Sequence, residues 1–289
     1  MSQIGERALV AWPLLVAEVL TFGTAAFALL LAPDTRFEEL ADALTPLWRG
    51  LGMLVVVFSP CALLVGTANM GDLSLRAALP FLPQVLRETH FGHVWCWNFP
   101  LTMMLAVIPW ARGRGQLKAA LLGCVACALL LLVSCSSHAI DRGTTAVIVY
   151  FIHEMAAALW VGAILGLWIG AVRGKLGPVW VLKTAPRVSG VAGWTVVILI
   201  LSGLYTAYYS LGADPHRLLD AAYGRTLVYK ICAAMLVLLI GAYNRYWLMP
   251  TVSESSSQEN LLRNVGVESV LLVGVLGLAA LLANTPPAH

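Results

Sequence analysis

Apolar residues run along this chain in eight long stretches, at approximately 8–32, 47–70, 91–111, 117–139, 145–172, 188–211, 226–248 and 264–283. Each reaches about 20 residues or more, the length a helix needs to cross a hydrocarbon core of about 30 Å. None alternates apolar and polar positions as a barrel strand would, and a continuous apolar span in lipid must satisfy its own backbone. The pattern predicts an all-α polytopic membrane protein, a bundle of eight transmembrane helices forming one domain over residues 1–289. The segments between spans are too short for a soluble domain. One of them, 71–92, is apolar but broken by Pro80 and Pro83, and is expected to lie as a short amphipathic helix on the membrane surface. Another, TVSESSSQEN after span seven, reads as a polar linker. Trp12, Trp48, Trp95, Trp110, Trp180 and Trp247 fall near span ends, where amphipathic rings anchor at the headgroups.

Composition agrees: of 289 residues, 60% are hydrophobic and only 11% charged, far from the usage of soluble domains. The first span lacks the pattern of a cleavable leader and is expected to stay in place. Lys and Arg crowd one side of the membrane, at Arg36, Arg49, Arg112, Arg114, Lys118, Arg173, Lys175, Lys183, Arg187, Arg245 and Arg263. The other side holds Arg7, Arg76, Arg87, Arg142, Arg217 and Arg225. By the positive-inside rule the poorer side faces out, which places both termini outside the cytoplasm, on the periplasmic side of a bacterial inner membrane. The net charge of +3 reflects this topology, and no basic patch suggests nucleic acid. All six histidines then fall in outward loops, the outward tail or outward half-spans.

Soft metal ligands stand out next. Cys124, Cys127, Cys135 and His138 fall on one face of a single predicted helix, in a stripe roughly 80° wide and about 21 Å long. Thiol and imidazole in a ladder suit a soft transition metal, Cu(I) first, although buried Cys also packs as a small hydrophobe. Span five places His153 and Glu154 about two turns below the outer surface, where either residue marks an interior cavity. Spans four and five form a hairpin, so Cys135, His138 and His153 can form one metal site. Met155 falls on the opposite face and reads as core. His90 and His93, at i and i+3, can catch a metal at the entrance, where Cu(II) is also possible. A transport path is expected to use Cys124, Cys127, Glu154, Glu18 and Lys230. Glu18 alternatively bonds across helices, and Lys230 can snorkel to the surface. Arg245 and Glu268, near the ends of two adjoining spans, are expected to form a structural ion pair.

Several segments resemble the copper resistance protein D (CopD) family of bacterial inner-membrane proteins. The best match is 180–285, with YGRTLVYK, GAYNRYWLMP, LLRNVGVESVL and the tail NTPP. Upstream, HEMAAALWVGAI resembles the family's His-x-x-Ala-Ala-x-x-Trp-Val-Gly element, SSHA its Gly-His-Ala, and LRETHFGHVW its Thr-x-Phe-Gly-x-x-Trp. The resemblance implies an eight-span protein that handles copper, with a small periplasmic partner of the CopC type. It gives weight to His138, His153, Thr89, Phe91, Gly92 and Trp95. The sequence departs from the family at Leu14, where many relatives carry His, and at Ser137, where Gly precedes the His.

The expected function is a copper-binding inner-membrane permease that moves copper from periplasm toward cytoplasm through His and Cys sites. It sits among membrane lipid, and a homo-oligomer is possible. The alternatives are a membrane haem protein with His138 and His153 as axial ligands, for electron transfer or cupric reduction, and a non-transporting copper sensor or assembly factor. Nothing in the sequence supports an enzyme.

Overall fold

The computed structural model describes residues 3–32, 36–137, 139–214 and 216–286. His138 and His289 therefore lie outside the described residues. Among those described, eight helices are long and apolar enough to cross a membrane. In chain order the helices are α1 (Gln3–Leu30), α2 (Phe37–Gly71), α3 (Leu75–Ala78), α4 (Leu82–Glu88), α5 (His90–Val107), α6 (Gly115–Cys135), α7 (Thr144–Val172), α8 (Pro178–Ser210), α9 (Arg217–Asp220), α10 (Ala222–Tyr243) and α11 (Ser255–Ala283). The short α3, α4 and α9 are connectors and the other eight are the spans.

α1 is the hub, packed on α2, α6, α7 and α11, while α7 also pairs closely with α8. Lipid tails give apolar helices no reason to associate by hydrophobicity, so close backbone approach carries the packing. Gly23 and Gly162 supply it at the α1–α7 crossing. A Cβ on Gly23 would collide with the Ala158 backbone, and one on Gly162 with the backbone of Gly23. This register has a consequence for chemistry. Five residues back from Gly23 on α1 is Glu18, at the level of His153 and Glu154 on α7.

Polar contacts pin the two ends of the bundle. At the end carrying both termini, buried Arg7 donates to Asn69 Oδ1 at 2.9 Å and to the Leu73 carbonyl at 2.5 Å. Asn69 in turn donates to Asn284 Oδ1 at 3.0 Å, tying α2 to the end of α11. At the opposite, basic end, Arg36 donates to the Leu176 carbonyl at 2.6 Å and Arg187 to the Leu31 carbonyl at 3.3 Å. Glu38 there accepts from the Gly115 amide at 2.9 Å.

Three sequence expectations need correction. The fourth span stops at Cys135 instead of running on to residue 139. Ser136 leaves helical geometry there, and the Ser136 and Ser137 hydroxyls bond back to the carbonyls of Leu132 and Ser134. Serine competes for backbone acceptors in this way and favours helix ends. The Ser-rich run after span seven is not a free linker, because α11 begins at Ser255 inside it. Finally, the single surface helix expected over 71–92 is two short helices, α3 and α4, joined by a 3-10 turn at Leu79–Phe81 that contains Pro80.

Candidate functional site

The strongest concentration of buried chemistry lies toward the terminal end, where α1, α7, α8 and α10 contribute one polar side chain or more each. His153 enters on α7, nine residues past its start and so about 14 Å along the helix. Its Nδ1 lies 2.9 Å from Ser202 Oγ on α8. Ser202 spends its hydroxyl hydrogen on the Ile198 carbonyl at 2.6 Å, so its oxygen accepts and His153 Nδ1–H donates. That assignment leaves the lone pair on Nε2, the arrangement of a metal-binding imidazole oriented from behind. The ring lies against Gly203 of α8, where a Cβ would make an ordinary contact 3.5 Å from His153 Cε1.

Two carboxyl groups at the same level of the bundle, each within electrostatic reach of the other, lack full partners among the described residues. Glu18 is only 1% exposed, and neither its buried Oε1 nor the buried Oε2 of Glu154 has a hydrogen-bond partner among the described residues. Tyr150, one turn before Glu154 on α7, turns its hydroxyl toward that carboxyl, and Lys230 on α10 lies within electrostatic reach of Glu154 and His153. Lys230 thus turns inward instead of snorkelling to the surface. An orphan buried carboxylate oxygen costs several kcal/mol in a low-dielectric interior unless a proton, cation or donor reaches it. The pocket has lone pairs ready for a positive charge.

The entrance residues separate. His90 and His93 share the first turn of α5, yet His90 Nε2 lies 3.3 Å from the Cys135 carbonyl and His93 Nε2 lies 3.0 Å from the Arg87 carbonyl. Carbonyls only accept, so both rings carry hydrogen on Nε2 and the lone pair on Nδ1. His90 is thereby brought to the end of α6, while His93 turns to a hollow lined by Cys96, Trp97 and Pro100. Cys135 packs with Tyr150 and Tyr205 against Ala139, Ala146 and Val147. His90, Cys135, Tyr150 and Glu154 form a line from the surface toward the pocket.

The cysteine stripe fares differently. Cys124 is exposed on the outside of the bundle, and Cys127 is half-buried against the core. All six cysteines are free. His138 of the expected Cys135, His138 and His153 set lies outside the described residues, and among the described residues no three His, Cys, Asp or Glu side chains converge on one ion position.

The resemblance segments turn out to hold structure. Thr89 caps α5 by accepting from the Gly92 amide at 3.0 Å, and a Cβ on Gly92 would strike the Val85 and Leu86 backbone of α4. Phe91 meets Trp95 edge-on. Gly162 of the Trp-Val-Gly element is the α1–α7 contact itself.

A second polar feature lies toward the basic end and escapes a search for metal ligands. Glu268 on α11 accepts from Asn244 Nδ2, and Asn244 Oδ1 accepts from Asn264 Nδ2 at 2.9 Å. Arg245 does not pair with Glu268, contrary to expectation. It reaches α8, where Nη1 donates to the Ser189 carbonyl and hydroxyl at 2.8 Å each. A π-helical turn at Asn244–Leu248 shifts the register and swings Arg245 away. Asn244, Asn264, Ser202 and Tyr150 were the residues sequence reasoning passed over. The available signal was position, each being a lone polar group in an apolar run or one turn from an acid.

Two family models match the chain: "Copper resistance protein D-like, N-terminal domain" over residues 7–147 and "Copper resistance protein D" over residues 182–282. The chain is 26% identical over 249 residues to Inner membrane protein YebZ of Escherichia coli (strain K12), covering 83% of each chain. It is 27% identical over 221 residues to Copper transport protein CutJ of Bacillus subtilis (strain 168), covering 71% of this chain and 39% of CutJ. No solved structure matches it significantly.

Proposed function

The chain belongs to the copper resistance protein D family, and from that premise we propose that it binds copper in the terminal half of the bundle and passes it inward across a bacterial inner membrane. The observation that carries the reading is the His153 imidazole, held on Nδ1 by Ser202, at the level of the Glu154 and Glu18 oxygens that have no hydrogen-bond partner among the described residues. In this reading the terminal end faces the periplasm, as the Lys and Arg distribution predicts. His90 and Cys135 meet the metal first, Cu(II) or Cu(I), from solution or from a CopC-type carrier. The inner pocket then holds it, with His138 as the further ligand the family pattern favours. Thiol and imidazole favour Cu(I) at this stage, and the carboxyls compensate its charge. Lys230 opposes entry of a second cation and so assists release. The wall of the path is α7, because Tyr150, His153 and Glu154 share it.

Relatives' names support the copper assignment: CutJ is called a copper transport protein and YebZ an inner membrane protein. Copper uptake into sealed vesicles tests the permease. Wild-type vesicles are expected to take up copper and a His153→Ala variant to lose most of that flux together with bound copper in the purified protein. Equal copper content in the wild type and the variant would remove His153 from the site. Absent flux in the wild type with copper still bound would turn the assignment toward a sensor or assembly factor.

A further inference from the structure

The outer face of α5 carries chemistry that the pocket around His153 does not use. His93 and Cys96 stand three residues apart on this helix, so one turn separates them and their Cβ atoms fall about 5–6 Å apart. Both are exposed, and with Trp97 and Pro100 they line an open hollow of about 440 Å³. His90, one turn earlier, turns away to the Cys135 carbonyl at the end of α6. The hollow is shallow, because α5 begins at His90 and Cys96 lies only about 9 Å along it from the terminal end.

The backbone around the pair fixes the imidazole. Thr89 caps the start of α5, and Gly92 lets α4 approach until a Cβ there would overlap the Val85 and Leu86 backbone. That contact sets the end of α4 against the first turn of α5. Arg87 lies in the last turn of α4, where carbonyls have no acceptor role left within the helix, and its carbonyl accepts from His93 Nε2 at 3.0 Å. The ring is thereby oriented from behind, with the Nδ1 lone pair uncommitted among the described residues. A helical Cα–Cβ bond tilts toward the N-terminus, which carries the free Cys96 thiol back toward the turn that holds His93.

We infer that His93 Nδ1 and Cys96 Sγ form a two-ligand site for Cu(I), separate from the His153 pocket. Metal bonds to imidazole nitrogen and thiolate sulfur run roughly 2.0–2.3 Å, so an ion bridging the two needs donor atoms about 4 Å apart. Neighbours at i and i+3 supply that span from one helix face. Thiolate and imidazole select a soft ion over a hard one. Coordination number narrows the choice further, because Zn²⁺ takes four ligands and among the described residues no third His, Cys, Asp or Glu joins this pair. Cu(I) is satisfied by two. As the Cu–S bond forms, the thiol gives its proton to solvent and the metal keeps its oxidation state. The copper reading above, on which the identity of the metal rests, supplies the ion, while the site itself lies off the line from His90 to Glu154.

Alkylation of the intact protein by N-ethylmaleimide, read at each cysteine by mass spectrometry in an oxygen-free Cu(I) buffer set by a competing chelator, tests the inference. Once free Cu(I) exceeds the dissociation constant about tenfold, alkylation of Cys96 is expected to slow about tenfold, because only the unbound thiol reacts. Cys124 and Cys232, exposed elsewhere on the bundle, are the references and keep their rates. His93→Gln retains an amide that can donate to the Arg87 carbonyl but offers no ring nitrogen, and Cys96 of that variant is expected to react at its metal-free rate in the same buffer. Equal slowing at all three cysteines, no slowing at Cys96, or slowing that survives His93→Gln overturns the inference. The His153→Ala variant keeps the two readings apart. Protection of Cys96 that persists in it supports a separate site, and protection lost with His153 overturns one. Wild-type protein that protects Cys96 without copper flux refutes the permease alone, whereas flux with Cys96 unprotected refutes this site alone.

Discussion

The two polar pockets of this bundle treat their carboxyl groups in opposite ways. In the terminal half, Glu18 and Glu154 each have a buried oxygen without a partner among the described residues, and the His153 imidazole at their level is anchored through Nδ1. In the basic half, Glu268 is met by a chain of two neutral amides that satisfies one of its oxygens and leaves the other at a cavity. A buried acid oxygen without a donor is costly unless a proton or other positive charge reaches it. An acid held by aligned amides is partly satisfied beforehand.

The α1–α7 crossing sets the level of the terminal pocket, so crowding it is the harshest test. Gly162→Leu drives a side chain into the Gly23 backbone, and overpacking of this kind costs roughly 1–3 kcal/mol or more. The variant is expected to show a clear loss of thermal stability in detergent and of copper binding with it, whereas Gly274→Ala, with open space around it, leaves both unchanged.

Next in size is the support behind the imidazole. Ser202→Ala removes the acceptor that fixes the His153 tautomer and should weaken copper affinity by about tenfold or more, as lost outer-shell partners of metal ligands generally do. Titration with Cu(I) against a competing chelator measures it, and unchanged affinity would detach His153 from the metal.

The contrast between the acids is sharpened by giving both the same change. Glu268→Gln weakens the charge-assisted bond from Asn244, with an expected stability loss of about 1–2 kcal/mol. Glu154→Gln removes a buried acidic charge that has no ionic partner of its own on Oε2, and should leave stability unchanged or improved while lowering copper content. Thermal unfolding of the two variants in the same detergent checks this, and equal losses would erase the distinction between the pockets. The smallest effect is expected at Cys124→Ser, within about 0.5 kcal/mol and without change in copper content, because that side chain lies on the outside of the bundle.

Much of this was legible in the chain. Eight apolar runs became eight spanning helices because lipid leaves the backbone no other arrangement. The conspicuous intramembrane groups, His153, Glu154, Glu18 and Lys230, came together, since a costly polar group in a span needs company. The cysteine stripe shows the limit: helical periodicity predicts that residues share a face but not which neighbour that face meets, and Cys124 is exposed while Cys127 is half-buried. The Arg245–Glu268 pair failed for a related reason, because one π turn moves a side chain to another helix.

Sequence alone therefore determined the number of spans, the family and the residue types available for copper, because hydropathy and chemical identity are local properties. Tertiary structure decided which nitrogen of His153 is free, which acids stay bare and where a cavity opens. Those depend on the rotation and depth of each helix against the next, set at contacts such as Gly23 on Gly162 between residues far apart in the chain.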